Sequence, residues 1–380
     1  MKEYRVGIIG FGFMGKVHSY SYMNMPFFYS PPPLLARITH ICAGSLESAR
    51  RGAGQIHVEH AVSDFRQVTE NPDIDIVHIC TPNHLHCPAL LSAIRHGKHI
   101  YCEKPLTATL DEARRIESAL KDYRGASQMS LQNRFFPATL RAKQLIQEGF
   151  LGQVLEFRAS YLHSGSADPA APLKWKLSAA AGGGVIADLG PHVLDLVHFL
   201  LGDYERLIAT TKTAYAKRPS AKDPGRLVDV DAEDCVMILA KMTNGAIGNI
   251  EATKLASGAE DEIRIEIHGS RGALRFNGMD PHHLQAYDAS ADDEPIGGRR
   301  GWTSIDAGQR YPAPAAAFPA PKTAIGWLRA HVASIANFLQ SIAQGKPGDP
   351  NLRHGILLQE LLEAARTSAR TGQWISPAER

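Results

Sequence analysis

Three short stretches of this 380-residue chain hold residues whose types and spacing can do chemistry. The first, Gly10-Phe11-Gly12-Phe13-Met14-Gly15, closes an apolar run that begins at Tyr4. A G-x-G-x-x-G between a strand and a helix turns tightly at its first glycine and lets backbone approach a pyrophosphate at its second. The third glycine lets the helix pack closely while its amino-terminal amides face the phosphates. In that strand-to-helix context the pattern predicts nucleotide binding. The second stretch is Glu103-Lys104-Pro105, directly after the apolar run His99–Cys102. A lysine there is either held for a task or paired with Glu103 at the surface. The third is GGGVIADLGPHVLDL, Gly182 to Leu196. Pro191 pre-sets a first helical turn, which places His192 at a helix amino end, where the macrodipole keeps the imidazole neutral and able to accept a proton. Asp195 lies on the same face and is suited to orient the ring, while Asp188 is suited to accept a hydrogen bond from a substrate hydroxyl. The three glycines would let backbone come close to a ligand. A capped core helix explains Pro191 and the leucines but not the glycines and Asp188.

The elements that must position these residues can be read along the chain. Tyr4–Ile9, Ala36–Ala43, Ile74–Thr81 and His99–Cys102 are short Val- and Ile-rich runs bounded by Gly, Pro or Asn, as expected of strands buried on both faces of a parallel sheet. Helical spacing over Ala89–His96 and Asp111–Lys121 lies between and after them. The alternation predicts an α/β fold, a doubly wound Rossmann domain over residues 1–126. From there the pattern changes: Val154–Leu162, Asp234–Met242, Ala246–Lys254, Glu262–His268 and Ala273–Asn277 read as strands, with hairpin signals at Asn244-Gly245 and Ser270-Arg271-Gly272. Residues 127–380 are therefore expected to form an α+β domain with a large, mostly antiparallel open sheet. A Pro-, Ala- and Gly-rich stretch over 295–321 is a lid, a partner-binding arm or a flexible segment, and helical sequence follows over Lys322–Gln344 and Leu352–Gly372.

Composition narrows the function. Apolar residues at 44%, charged residues at 21% and a net charge of +2 give no electrostatic footprint for nucleic acid or an anionic membrane. Small, neutral partners are expected. Five cysteines, an odd number without a C-x-x-C pair, point to reduced thiols and a cytoplasmic setting. No run reaches the roughly 20 apolar residues of a membrane span. His84, His86 and Cys87 complete no tetrahedral set, so no metal is expected and the loop Thr81–Cys87 reads as a cofactor wall. The acid usually found after the second strand of a dinucleotide fold is missing; Ser45, Arg50 and Arg51 stand there instead, which leaves NAD against NADP open.

Taken together, GFGFMG, EKP and GGGVIADLGPHVLD resemble the Gfo/Idh/MocA oxidoreductases over nearly the whole chain, in particular members that act on anhydrosugars and cyclic polyols. The resemblance implies an NAD(P)-dependent enzyme, NAD preferred, that moves hydride between nicotinamide and a ring hydroxyl of a sugar, anhydrosugar or cyclic polyol. An inositol or aldose dehydrogenase, an NADP-dependent reductase and a non-catalytic nucleotide-binding sensor are the alternatives. It further implies a catalytic set of Lys104, Asp188 and His192, in which His192 takes the hydroxyl proton, Lys104 steadies the alkoxide and Asp188 positions the hydroxyl. Implied cofactor contacts are Gly10, Gly12, Phe13, Met14, Gly15, Ser45, Thr81, Pro82, Asn83, His86, Glu103, Lys104 and Asn133. Implied substrate contacts are Lys104, Arg134, Tyr161, His163, Trp175, Asp188 and His192, with Lys176 on the same pocket wall. Trp175 offers a flat face to a sugar or belongs to the core. A homodimer or homotetramer, paired through an apolar outer face of the second sheet, and a cis Lys104–Pro105 bond are also implied.

Overall fold

Runs such as Ile76–Ile79, in which every side chain is buried, belong in a sheet covered on both faces, and that is where the chain places them. The structure, a computed structural model, describes residues 2–221, 223, 225–308, 318, 320, 323, 324 and 326–377. It divides into two compact units, one formed in the main by residues 2–132 and 326–359, the other by 133–308 and 360–377.

In the first unit six strands, β1 (Glu3–Ile9), β2 (Leu35–Cys42), β3 (His60–Val62), β4 (Ile76–Ile79), β5 (His99–Cys102) and β6 (Ser127–Met129), form one sheet in the order β3-β2-β1-β4-β5-β6. Every neighbouring pair is parallel. Helices α1 (Phe13–Phe28), α2 (Leu46–Gln55), α3 (Arg66–Thr69), α4 (His86–Arg95) and α5 (Leu110–Ala119) alternate with the strands. Thr109 and Glu112 close α5 with a reciprocal capping box. The strand order reverses between β1 and β4, and their carboxyl ends carry the glycine turn and the Thr81 loop, the place where open α/β sheets bind ligands.

The second unit holds α6 (Pro137–Gln147), β7 (Val154–Leu162), α7 (Val185–Asp188), α8 (Gly190–Leu201) and β8 (Tyr204–Lys212), then a ribbon of β9 (Lys217–Pro219) and β10 (Leu227–Asp229). Strands β11 (Cys235–Met242), β12 (Ile247–Thr253), β13 (Glu262–Gly269), β14 (Gly272–Asn277), β15 (His283–Asp288) and β16 (Trp302–Asp306) complete an eight-stranded sheet in the order β16-β15-β14-β13-β7-β12-β11-β8. Its neighbours are antiparallel except β7 and β12, which run parallel. Alternation decides its faces. Phe157, Ala159 and Tyr161 of β7 and Ile263, Ile265 and Ile267 of β13 are buried, and α8 packs on β7 and β12 with Val193, Val197 and Leu200. Each of the Val, Leu, Ile and Phe side chains among them contributes about 1.5–3 kcal/mol on burial.

Three expectations need correction. The boundary at residue 126 fails because β6 joins the first sheet, and because α9 (Trp327–Ala343) buries Val332, Ile335, Phe338, Leu339 and Ile342 in the first unit's core. The following helix, α10 (Leu352–Thr371), begins in the first unit and ends in the second. The outer face of the large sheet is not an apolar surface: Arg158, Asn249, Glu251, Arg264, Glu266 and Arg275 line a cleft there, and exposed Met237, Leu239 and Ile247 form only its apolar part. Finally, β16 lies inside the stretch over 295–321 expected to be a lid, a partner-binding arm or a flexible segment, of which residues 309–317, 319 and 321 lie outside the described residues.

Candidate active site

The glycine turn is built by close backbone contacts. Gly10 has φ +97°, and a Cβ there would stand 2.6 Å from the carbonyl carbon and oxygen of Cys80. A Cβ on Gly15 would meet the Gly10 carbonyl oxygen at 2.1 Å, so α1 can begin this close to β1 only with glycine. Around Gly12, by contrast, there is open space within 4 Å, and Gly12 caps α1 without a side chain over the helix amides. This is a cradle that fits a pyrophosphate. Beside it Phe13 is exposed, and Thr81 Oγ1 is buried with no hydrogen-bond partner among the described residues, a second feature that fits a ligand. Ser45 caps α2 by accepting from the Ser48 amide at 3.2 Å, Arg51 pairs with Glu47 at 3.8 Å and Arg50 is exposed.

His86 does not belong to the surface of this cradle. It is fully buried, with Nε2 at 2.9 Å from the Thr81 carbonyl oxygen and Nδ1 at 3.0 Å from that of Pro105. Burial lowers its basicity although the two carbonyls oppose this. The ring therefore ties two strand-end loops together and shapes the site from behind. Pro82 begins the short 3-10 turn Asn83–Leu85, with Asn83 buried.

Glu103 is likewise buried, which overturns the reading of a surface pair with Lys104. Its Oε1 lies 3.1 Å from Nε2 of buried His18. Burial pushes the carboxyl up, but the hydrogen bond and charge of His18, with Lys104 and Ser130, bring it down to about 2. Behind it the chain continues through His18 Nδ1 to His78 Nδ1 at 3.0 Å and from His78 Nε2 to the Tyr22 hydroxyl at 2.8 Å. The Lys104–Pro105 peptide is cis, as the resemblance implied.

In the second unit the chemistry gathers on α7 and the start of α8. Asp188 ends α7, and its carboxylate is held by two ammonium groups: Lys176 Nζ at 2.9 and 3.1 Å and Lys254 Nζ at 2.8 Å. Lys176 is half exposed on the turn Trp175–Leu177, whereas the Lys254 side chain is only 9% exposed just beyond β12. His192 is the third residue of α8, buried, and the Tyr161 ring meets it edge-on at 5.7 Å. The Tyr161 hydroxyl donates to Asp261 at 2.5 Å. Burial raises its pKa well above the usual phenol range, and the charge and hydrogen bond of Asp261, with the charge of Asp188, add to this.

The three glycines have protein neighbours. A Cβ on Gly183 would stand 2.6 Å from the Lys176 carbonyl oxygen, and one on Gly184, at φ +98°, 2.3 Å from Glu233 Oε1. The Gly184 amide donates to the Lys176 carbonyl, and the same Glu233 oxygen accepts from the Ile186 amide at 2.9 Å. Glycine here lets the Lys176 turn close down on α7, which brings Lys176 to Asp188; close approach to a ligand is not what these contacts require. Asp195, expected to orient His192, gives both carboxylate oxygens to Arg134, at 2.8 and 2.5 Å. That buried ion pair commits Arg134, a predicted substrate contact, to holding α8. Asn133 is buried with Nδ2 lacking a partner among the described residues, His163 Nδ1 accepts from the Gly165 amide, and Trp175 is 38% exposed. Lys254 was missed as a site residue. Its only signal was a lysine at the carboxyl end of the apolar run Ala246–Lys254.

Comparison with known proteins matches two stretches of the chain to one family. Residues 4–129 match a family described as an oxidoreductase family with an NAD-binding Rossmann fold, and residues 139–275 match the GFO/IDH/MocA C-terminal domain. The chain is 35% identical to levoglucosan dehydrogenase of Pseudarthrobacter phenanthrenivorans, over 99% of this chain and 98% of that protein. It is 26% identical to scyllo-inositol 2-dehydrogenase (NAD(+)) of Bacillus subtilis, over 77% of this chain and 80% of that one. Among solved structures, levoglucosan dehydrogenase in complex with NADH and L-sorbose superposes with a TM-score of 0.95 at 35% identity, covering 100% of both chains.

Proposed function

The chain belongs to the Gfo/Idh/MocA family of NAD-binding oxidoreductases, and on that premise we propose that it oxidises a ring hydroxyl of an anhydrosugar or related pyranose to the ketone. The observation that carries this reading is the Asp188 carboxylate held between two lysines one turn ahead of His192, a rigid polar cluster suited to a polyhydroxylated, uncharged ligand. The likeness to a levoglucosan dehydrogenase over almost all of both chains supports the anhydrosugar class.

Bound NAD supplies the hydride acceptor. The turn Gly10–Gly15 and the first amides of α1 take the pyrophosphate, and Thr81 Oγ1 is available to a cofactor oxygen or amide. His192, at the positive end of α8, accepts the hydroxyl proton; the same dipole disfavours the ring once charged, so the proton passes on readily. Asp188, its carboxylate engaged in ion pairing with lysine, does not take that proton. It instead accepts a hydrogen bond that orients the reacting hydroxyl. Lys104 is assigned the stabilisation of the developing alkoxide. Glu103 is fixed by His18, which sets the backbone from which Lys104 springs.

The test is nucleotide reduction by the purified protein, with NAD and NADP in parallel, against levoglucosan, L-sorbose, the inositols, glucose and xylose. Turnover of levoglucosan or a close pyranose with NAD is expected. No turnover in either direction on any of them, with NADH still bound by calorimetry, would overturn the assignment and leave a nucleotide-binding protein without this activity.

A further inference from the structure

We propose that Lys254 is a positioning residue for the reaction, the permanent counter-ion that fixes the Asp188 carboxylate, while Lys176 is its exchangeable partner and yields to substrate. The inference rests on the dehydrogenase reading above and adds a division of roles between two lysines that share one carboxylate.

The two differ in how they are held. Lys254 follows directly on β12, and both of its backbone groups are tied: its amide donates to the Asp234 carbonyl at 2.8 Å and its carbonyl accepts from the Ser166 amide at 2.9 Å. Its side chain is 9% exposed and reaches one oxygen of Asp188 at 2.8 Å. Lys176 stands on a three-residue 3-10 turn, is 48% exposed and straddles both oxygens at 2.9 and 3.1 Å. A buried ammonium on a strand end is already ordered, whereas a half-exposed one on a turn gives up an ion pair that solvent partly screens. A substrate hydroxyl approaching Asp188 from solvent therefore displaces Lys176 and leaves Lys254 in place. The Tyr161 hydroxyl, which feels the Asp188 charge, is itself committed to Asp261.

Lys254→Met and Lys176→Met separate the roles. Removing Lys254 leaves Asp188 paired with Lys176, so no charge is stranded and the fold should hold; unchanged NADH affinity and melting temperature check this. Lys254→Met is expected to lower kcat by on the order of 100-fold, the usual cost of a misplaced reacting group, with KM within about threefold. Lys254→Arg should recover a large part of the loss, because a guanidinium can still pair with the carboxylate. Lys176→Met should instead change KM by more than kcat. A Lys254→Met enzyme with kcat within threefold of the parent, or identical kcat and KM patterns for the two methionine variants, would overturn the proposal while leaving the dehydrogenase reading intact. A parent protein without turnover would remove both.

Discussion

Arg218 is fully buried, yet among the described residues it pairs with no carboxylate; its guanidinium instead gathers the backbone of the loop that leads to Trp175 and Lys176. Nη1 donates to the Asp168 carbonyl at 2.7 Å and more weakly to that of Ala171 at 3.4 Å, and Nη2 donates to the Ser166 carbonyl at 2.6 Å. The Tyr215 ring lies 5.0 Å from the guanidinium, and its hydroxyl donates to the Ala167 carbonyl at 2.9 Å. Arg218→Met keeps the apolar stem and removes the fork. Two short bonds from a charged donor at about 1.5–3 kcal/mol each put the local cost at about 3–6 kcal/mol. The carbonyls can regain water only if the loop lifts, so this energy appears as local opening and not as loss of the whole fold. In hydrogen exchange the Ser166 and Leu173 amides, bonded to the Lys254 and Pro219 carbonyls at 2.9 and 2.8 Å, should exchange at least 100-fold faster. Amides in β4 should not change. Because the loop carries Lys176, KM for the sugar should change by more than kcat while NADH affinity stays the same. A change of less than tenfold at both amides, with unaltered KM, would refute the clamp.

His331 is fully buried on α9 against Trp327, with ring centroids 4.2 Å apart, and neither of its ring nitrogens has a hydrogen-bond partner among the described residues. Burial lowers its pKa from 6.5 to about 3, with smaller opposing effects of Glu103 and His18. Below pH 6.5 the unfolded chain takes up the proton and the native one does not until about pH 3, so stability falls as pH drops through that window, by about 2 kcal/mol at pH 5. His331→Leu should match or exceed the parent's melting temperature at pH 7.5 and lose less of it by pH 5; parallel curves would count against the assignment. Gly184→Ala forces a side chain into positive φ and against the Glu233 carboxylate that caps α7. A cost of about 1–3 kcal/mol is expected, together with at least a tenfold loss in kcat/KM at unchanged NADH affinity. Wild-type kcat/KM in this variant would show that Asp188 does not depend on that close packing.

What could be read from the sequence and what could not divide along a physical line. The glycine turn, the strand ends at Thr81 and Glu103 and the proline-started helix of His192 depend on neighbours within a few residues, and each lies where its local chemistry demands. The large sheet was legible because alternation and the hairpin signals at Asn244-Gly245 and Ser270–Gly272 are local as well. β3, three residues at the sheet edge, was too short to carry a period, and so was β6. The amphipathic pattern of α9 announces a buried face but not the surface that buries it, which is why the helix was assigned to the wrong unit. Partner choice across long sequence distance was the least legible. Asp195 finds Arg134, which lies 61 residues away, and Gly184 sits against Glu233, because folding brings those groups within reach. For Asp188 the same limit bears on mechanism. Read alone, a carboxylate four residues before a histidine can be a base, an orienting group or a hydroxyl acceptor. Once Lys176 and Lys254 are seen to hold it, the role of base would cost ion pairing, which supports the proposal that His192 takes the proton.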